Sequence, residues 1–135
     1  MKRNPLPLLL LLAATLSTAS CLAIAGVGVG YIISREELAN SSFEAQVKDD
    51  VENVWPAALE AFEILRDPRS EATITEDLRR IVGQVDYADV TIDIEAHDIE
   101  RTIIRVSAES YGTADRDTAQ DVLDRILDRL SMQSR

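Results

Sequence analysis

From Asn4 to Ser34 no side chain of this sequence is charged at neutral pH, and that stretch separates the front of the chain from the part that folds. It has an internal order. A basic start (Lys2, Arg3) is followed by an apolar run from Leu8 to Leu16, then by the small-residue stretch Ser17-Thr18-Ala19-Ser20 and Cys21. This is the order of a secretory signal. Read so, the first 33 residues target and tether, and about 100 of the 135 residues remain to fold as one small domain.

A cysteine placed after small residues at the end of an apolar segment is the pattern of a bacterial lipobox, in which the thiol carries diacylglycerol and becomes the new N-terminus. Cys21 is therefore the expected lipidation site, and its partner is membrane lipid. Thr18 departs from the pattern, because an aliphatic residue is usual there. The organisation expected is a signal peptide over 1–20, a lipid-anchored glycine-rich tether over 21–36 and a single domain over 37–135. Two alternatives stay open. Residues 8–33 are long enough to span a bilayer as an uncleaved signal-anchor, at about 20 residues per crossing. Against it, Thr15, Ser17, Thr18 and Ser20 interrupt the stretch, and Gly26, Gly28 and Gly30 weaken it as a helix. Ordinary cleavage near Ala19 or Ser20 would release the domain instead. All three readings put the domain outside the cytoplasm. Leu22 stands where an acidic sorting residue would retain some lipoproteins in an inner membrane, which favours the outer membrane where there are two.

Charge narrows the partners. The net charge is −10, and Lys2 and Arg3 are the only charges before Arg35, so the rest of the chain carries −12. Such a balance repels phosphate backbones and argues against nucleic acid. One Cys and one His rule out a disulfide framework and leave too few soft ligands for zinc. Gly26 and Gly28 open a G-x-G-x-x-G, but Tyr31 occupies the third glycine position, so the dinucleotide fingerprint fails. No cofactor is expected.

Periodicity gives the domain. Phe43, Ala45 and Val47 alternate with Glu44 and Gln46, which predicts a half-buried strand. Asp49 and Asp50 offer N-caps for a helix carrying Val51, Val54, Ala58, Phe62 and Leu65 at helical spacing, with Trp55 and Leu59 widening the stripe. Pro56 predicts a bend there or a start near Asn53. Ala72 to Thr75 and Ile81 to Val85 read as two short strands or one irregular one. Val90 to His97 and Thr102 to Glu109 alternate strictly enough to predict an antiparallel hairpin whose outward charges pair across strands. After Gly112 and Asp115, the residues Ala119, Val122, Leu123, Ile126, Leu127 and Leu130 form the clearest helical stripe, with Asp121 and Arg125 as an i,i+4 pair on its other face. The order β-α-β-β-β-α predicts an α+β domain, an antiparallel sheet of about four strands with two helices packed on one face.

Catalytic patterns are missing from the sequence. His97 is the one neutral-pH acid, base or ligand, and alternation puts it beside Asp93 and Glu95 as a salt-bridged surface residue. No G-x-S-x-G elbow and no Ser-x-x-Lys occurs, and Asp115-Arg116-Asp117 is too short for a calcium loop. The chain is expected not to be an enzyme. Its leading function is an envelope interaction or structural module, which uses a sheet face or edge or the groove beside Trp55 to bind another envelope protein or a small apolar ligand. The alternative is a cryptic enzyme or metal-dependent module built around His97 and nearby carboxylates.

Cys21, the glycine-rich Ala25 to Tyr31, Val54-Trp55 with Ala58-Leu59, Gly83 and Gly112 together resemble a family of small bacterial lipoproteins known as a domain of unknown function. The resemblance implies a lipid-anchored β-α-β-β-β-α domain outside the cytoplasm and no activity, substrate or catalytic residue. At fold level alone the opening strand and Trp-bearing helix are also similar to the helix-grip modules of the lipoprotein accessory to outer-membrane β-barrel assembly.

Overall fold

The computed structural model describes residues 32–135. Cys21 and Gly26 to Gly30 lie outside the described residues, as does nearly all of the 8–33 stretch considered as a span. Among the described residues no helix is long and apolar enough to cross a membrane.

The elements in order are β1 (Ile32–Glu37), β2 (Phe43–Val47), α1 (Val51–Leu65), β3 (Thr73–Thr75), β4 (Arg80–Val85), β5 (Ala88–Ala96), β6 (Thr102–Ser110), β7 (Thr113–Ala114) and α2 (Arg116–Gln133). All pairings are antiparallel, in the order β1-β2-β6-β5-β4-β3, and β7 continues beside β6 beyond the end of β2. The molecule is α+β, with α1 and α2 against one face of this sheet and against each other. Among the described residues the sheet has seven strands where about four were expected.

The largest difference is β1. Residues 32–36, expected to end the tether, form a strand along β2, so they belong to the folded domain. Its sequence Ile-Ile-Ser-Arg-Glu-Glu lacks alternation because it is an edge strand with no buried position, only Ile32 and Arg35 being half-buried, and a register shift between Ile32 and Ser34. Arg35 and Glu37 hold it to α2 by ion pairs to Asp124 and Arg116. The stretch after α1 is two strands rather than one irregular strand, since β3 pairs with β4 across a turn at Glu76 to Arg79.

Pro56 neither ends nor delays α1. The helix starts at Val51, capped by Asp50, whose carboxylate accepts from the Glu52 N–H at 2.9 Å. The carbonyl deprived of a donor by Pro56 is that of Glu52, and both residues lie on the exposed face of the first turns, where water can replace the lost bond.

The core is the inward half of each alternation. Val90, Ile92 and Ile94 of β5 and Ile104, Val106 and Ala108 of β6 face the helices, and all six residues of the predicted α2 stripe are buried. Each fully buried aliphatic side chain of this kind contributes roughly 1.5–3 kcal/mol. α1 adds Ala57 and Ala61, which carry no bulk and were not in the predicted stripe; small buried residues let helix backbones approach closely. One glycine is explained by packing. A Cβ on Gly83 would lie 2.4 Å from Cζ of the fully buried Phe62, so β4 leaves room for that ring only by having no side chain there.

Among the described residues no helix covers the other face of the sheet. A straight row crosses it from Glu36 through Glu44, Arg105 and Asp93 to Arg80. Arg105 pairs with Glu44 at 2.6 Å and Glu95 at 2.8 Å, while Asp93, opposite Arg105 in register, is taken by Arg80 at 2.5 Å. The cross-strand ion pairs expected from alternation therefore form, with partners chosen across four strands. These contacts raise the Arg105 pKa, the hydrogen bond to Glu44 first and that to Glu95 second.

Candidate functional site

The two ends of the sheet differ in what they carry. At one end Ile32 pairs with Val47, and Val47 and Ala96 with Thr102; the described chain enters there and α1 begins there. At the other end lie the turn after β1, the β4–β5 and β6–β7 turns, the C-terminus of α1 and the N-terminus of α2. The nine residues of β6 separate the ends by about 30 Å.

The far end is built by turns in an unusual conformation. Val85 pairs with Ala88 and Ser110 with Thr113, so Asp86-Tyr87 and Tyr111-Gly112 are two-residue hairpin loops. Both central residues of each have positive φ, 50° and 67° in the first and 52° and 76° in the second, the sign that defines a type I′ turn. Glycine and asparagine suit such positions; tyrosine does not, and a left-handed residue with a Cβ costs about 1–2 kcal/mol. Neither ring recovers that cost by burial, because Tyr87 is 81% and Tyr111 101% exposed. Since β5 and β6 are neighbours, the turns sit about two strand spacings, or 10 Å, apart.

Beside Tyr87 a cleft of about 440 Å³ opens between the end of α1 and the β4–β5 turn, lined by Leu65, Arg66, Asp67, Pro68, Arg69 and Asp86 together with Tyr87. The segment after α1 is pinned. The Asp67 N–H donates to the Gln84 carbonyl at 3.0 Å, and the Asp67 carboxylate accepts from the Arg69 N–H at 2.9 Å. Arg66 is paired with Glu63 at 2.9 Å. The exposed Arg69 guanidinium has no partner among the described residues.

The residues singled out from sequence fall elsewhere. Trp55 is 8% exposed within the core, and its indole N–H donates to the Glu76 carboxylate at 2.8 Å, tying the β3–β4 turn to α1. An ion pair from Arg79 to Glu52 adds a second tie. His97 is exposed and, contrary to expectation, makes no ion pair among the described residues. The reason is competition: Arg80 and Arg105 take Asp93 and Glu95, and Arg101 takes Asp98. That hydrogen bond from Arg101, followed by the Glu100 N–H, holds the Asp98 carboxyl below its usual range. The expected Asp121–Arg125 pair is also not formed; the charges of α2 reach β1 and α1 instead, as in Arg129 to Glu60 at 2.8 Å. Asp89 and Glu109 are cross-strand neighbours beside a second cleft of about 420 Å³, with Asp89 accepting from Gln84 at 3.0 Å. Among the described residues no three His, Cys, Asp or Glu side chains are grouped to hold a metal ion.

This end of the sheet thus carries two exposed rings and a guanidinium without a partner among the described residues. Sequence reasoning missed Tyr87, Tyr111 and Arg69. The usable signal was spacing: two residues between Val85 and Ala88, and Tyr111-Gly112 between Ser110 and Thr113, have the length of a two-residue hairpin loop.

Comparison of the sequence with known protein families and with curated proteins finds no match. Among solved structures, a conserved protein of unknown function from Enterococcus faecalis, EF2215, is similar at a TM-score of 0.35 and 13% identity, covering 72% of this chain and 74% of that one.

Proposed function

We propose that this chain is a membrane-tethered, non-catalytic binding module of the bacterial cell envelope, held by an acylated Cys21 and meeting its partner at the end of the sheet opposite Ile32. The observation that carries the proposal is the pair Tyr87 and Tyr111. Two large side chains kept in a left-handed conformation, exposed and adjacent, cost stability and fill no core, and such unrewarded strain gathers at functional surfaces. Tyrosine is also enriched among residues that dominate protein interfaces. A tether entering at Ile32 would put these rings on the side of the domain away from the bilayer.

The test is the N-terminus of the membrane-bound protein from its own host, read by mass spectrometry, together with Cys21→Ser. The proposal expects an acylated Cys21 as the first residue and loss of the Cys21→Ser variant from the membrane fraction. A mature chain beginning at Met1 would overturn lipid anchoring.

A further inference from the structure

We infer that the end of the sheet at which the described chain enters is a lipid-contact surface: Leu78, Ile99 and Met132 enter the interfacial layer of the bilayer, so that the domain lies on the membrane instead of floating at the end of its tether. This rests on the anchoring reading above, since it needs Ile32 to be held beside a bilayer. The tether alone does not bring the domain down. Ten residues, 22–31, stand between Cys21 and Ile32, and a chain of that length reaches about 35 Å when extended.

Exposed apolar side chains scattered singly are ordinary; the placing of these is not. Ile99, Leu78 and Met132, at 87%, 68% and 61%, are the most exposed large non-aromatic apolar side chains among the described residues, and all three fall at this end. Ile99 tops the turn between β5 and β6, which the His97 N–H closes by donating to the Arg101 carbonyl at 2.8 Å. Leu78 tops the β3–β4 turn. That turn is drawn to the same end by the Ile94 N–H, which donates to the Arg79 carbonyl at 3.0 Å, and by the ion pair of Arg79 with Glu52 in the first turn of α1. Met132 lies in the last turn of α2, a helix that starts beside Glu37 and runs back past Arg35 toward Ile32. Three elements distant in sequence thus carry their apolar tips to one end. Turn tips in water are ordinarily Gly, Asn, Asp or Ser; an aliphatic side chain there gains only by leaving water, as at the boundary between headgroups and acyl chains. Charge then chooses the lipid. Asp77, Asp98 and Glu100 beside the tips balance Lys48, Arg101 and Arg135, so this end has no excess of positive charge to draw it to an anionic surface, and zwitterionic headgroups fit it.

The experiment uses the full chain from its own host, reconstituted in phosphatidylcholine vesicles that carry a lipid with a nitroxide just below the headgroup. One thiol for an environment-sensitive fluorophore is placed beside the Ile99 tip as Glu100→Cys, or at the other end of the sheet, about 30 Å away, as Asp117→Cys. Acylation of Cys21 leaves no other thiol to label. The inference expects the nitroxide to quench about half or more of the emission at position 100 and less than about a tenth at position 117. In the Glu100→Cys chain, Leu78→Asp together with Ile99→Asp should cut the quenching about threefold, whereas Ile64→Asp, at an exposed isoleucine in the last turn of α1, should leave it unchanged. Equally weak quenching at both positions, in chains that stay with the vesicles, overturns the inference and leaves the anchor; chains that do not stay with the vesicles overturn both. Stronger quenching on phosphatidylglycerol vesicles would overturn the apolar basis of the contact.

Discussion

Replacing Gly83 by alanine tests the packing between α1 and the sheet. The added Cβ would stand 2.4 Å from Phe62 Cζ, 3.3 Å from Phe62 Cε2 and 3.4 Å from Ala72 Cβ. Carbon atoms in contact sit about 3.5–4.0 Å apart, so the ring edge must retreat by more than 1 Å. Phe62 is fully buried and cannot swing into solvent; it can move only by displacing α1 or leaving its rotamer. Overpacking of this kind costs about 1–3 kcal/mol, and the smaller entropy of an unfolded alanine offsets about 0.4–1 of it. The net loss expected is about 1–2 kcal/mol, a fall in Tm of roughly 4–16 °C for a domain of this size. Thermal and urea unfolding of the full chain, followed by Trp55 fluorescence, measure it. A double-mutant cycle isolates the cause. Phe62→Leu should be destabilising alone, yet Gly83→Ala should cost less in that background, because the methyl then fills space the ring vacated. Wild-type stability for Gly83→Ala, or strict additivity with Phe62→Leu, would refute the reasoning.

Tyr87→Gly should raise stability by about 1 kcal/mol by relieving the left-handed strain, and calorimetry of the pair with Tyr111→Gly should show two gains that add. Trp55→Ala should cost about 3–5 kcal/mol as a core truncation, whereas Trp55→Phe should lose chiefly the bond to Glu76; a wild-type melting curve for Trp55→Ala would contradict the observed burial. Asp115 caps α2 by accepting from the Thr118 N–H at 3.1 Å, and that bond, followed by one from Ser110, lowers its carboxyl pKa. A lowered folded pKa gives stability that is present above the unfolded value near 3.9 and is lost as pH falls through the folded one. Asp115→Ala should therefore cost about 1 kcal/mol at pH 7 and progressively less below pH about 4, as denaturant titrations at the two pH values would show.

What was legible in the sequence is what periodicity encodes. The α2 stripe, the inward faces of β5 and β6 and the alternation of β2 were all readable, because each buries one side against a single core and repeats at its own period. β1 was not, since an edge strand with no buried position needs no apolar rhythm, and its first residues continue an uncharged stretch that reads as tether. β7 is too short for any period. The far-end site was hidden for another reason. Asp86-Tyr87 contains neither glycine nor asparagine, the residues that normally announce a type I′ turn, so the feature that makes the turn strained also removed its signature. His97 failed through competition that no linear pattern records: three nearby arginines reach its carboxylate neighbours, and the imidazole is left to solvent.

The position of β1 fixes how the domain would answer a mechanical load. A pull on the chain at Ile32, opposed by a partner held at Tyr87 and Tyr111, acts along the strand direction. The β1–β2 hydrogen bonds run across that direction. They are loaded together in shear instead of being opened one rung at a time from an end. The Arg35–Asp124 and Glu37–Arg116 pairs brace the same strand against α2. Resistance to such a force is set by the rate of unfolding along that coordinate and not by equilibrium stability, so the strand least visible in the sequence is the one on which a tethered domain would hang.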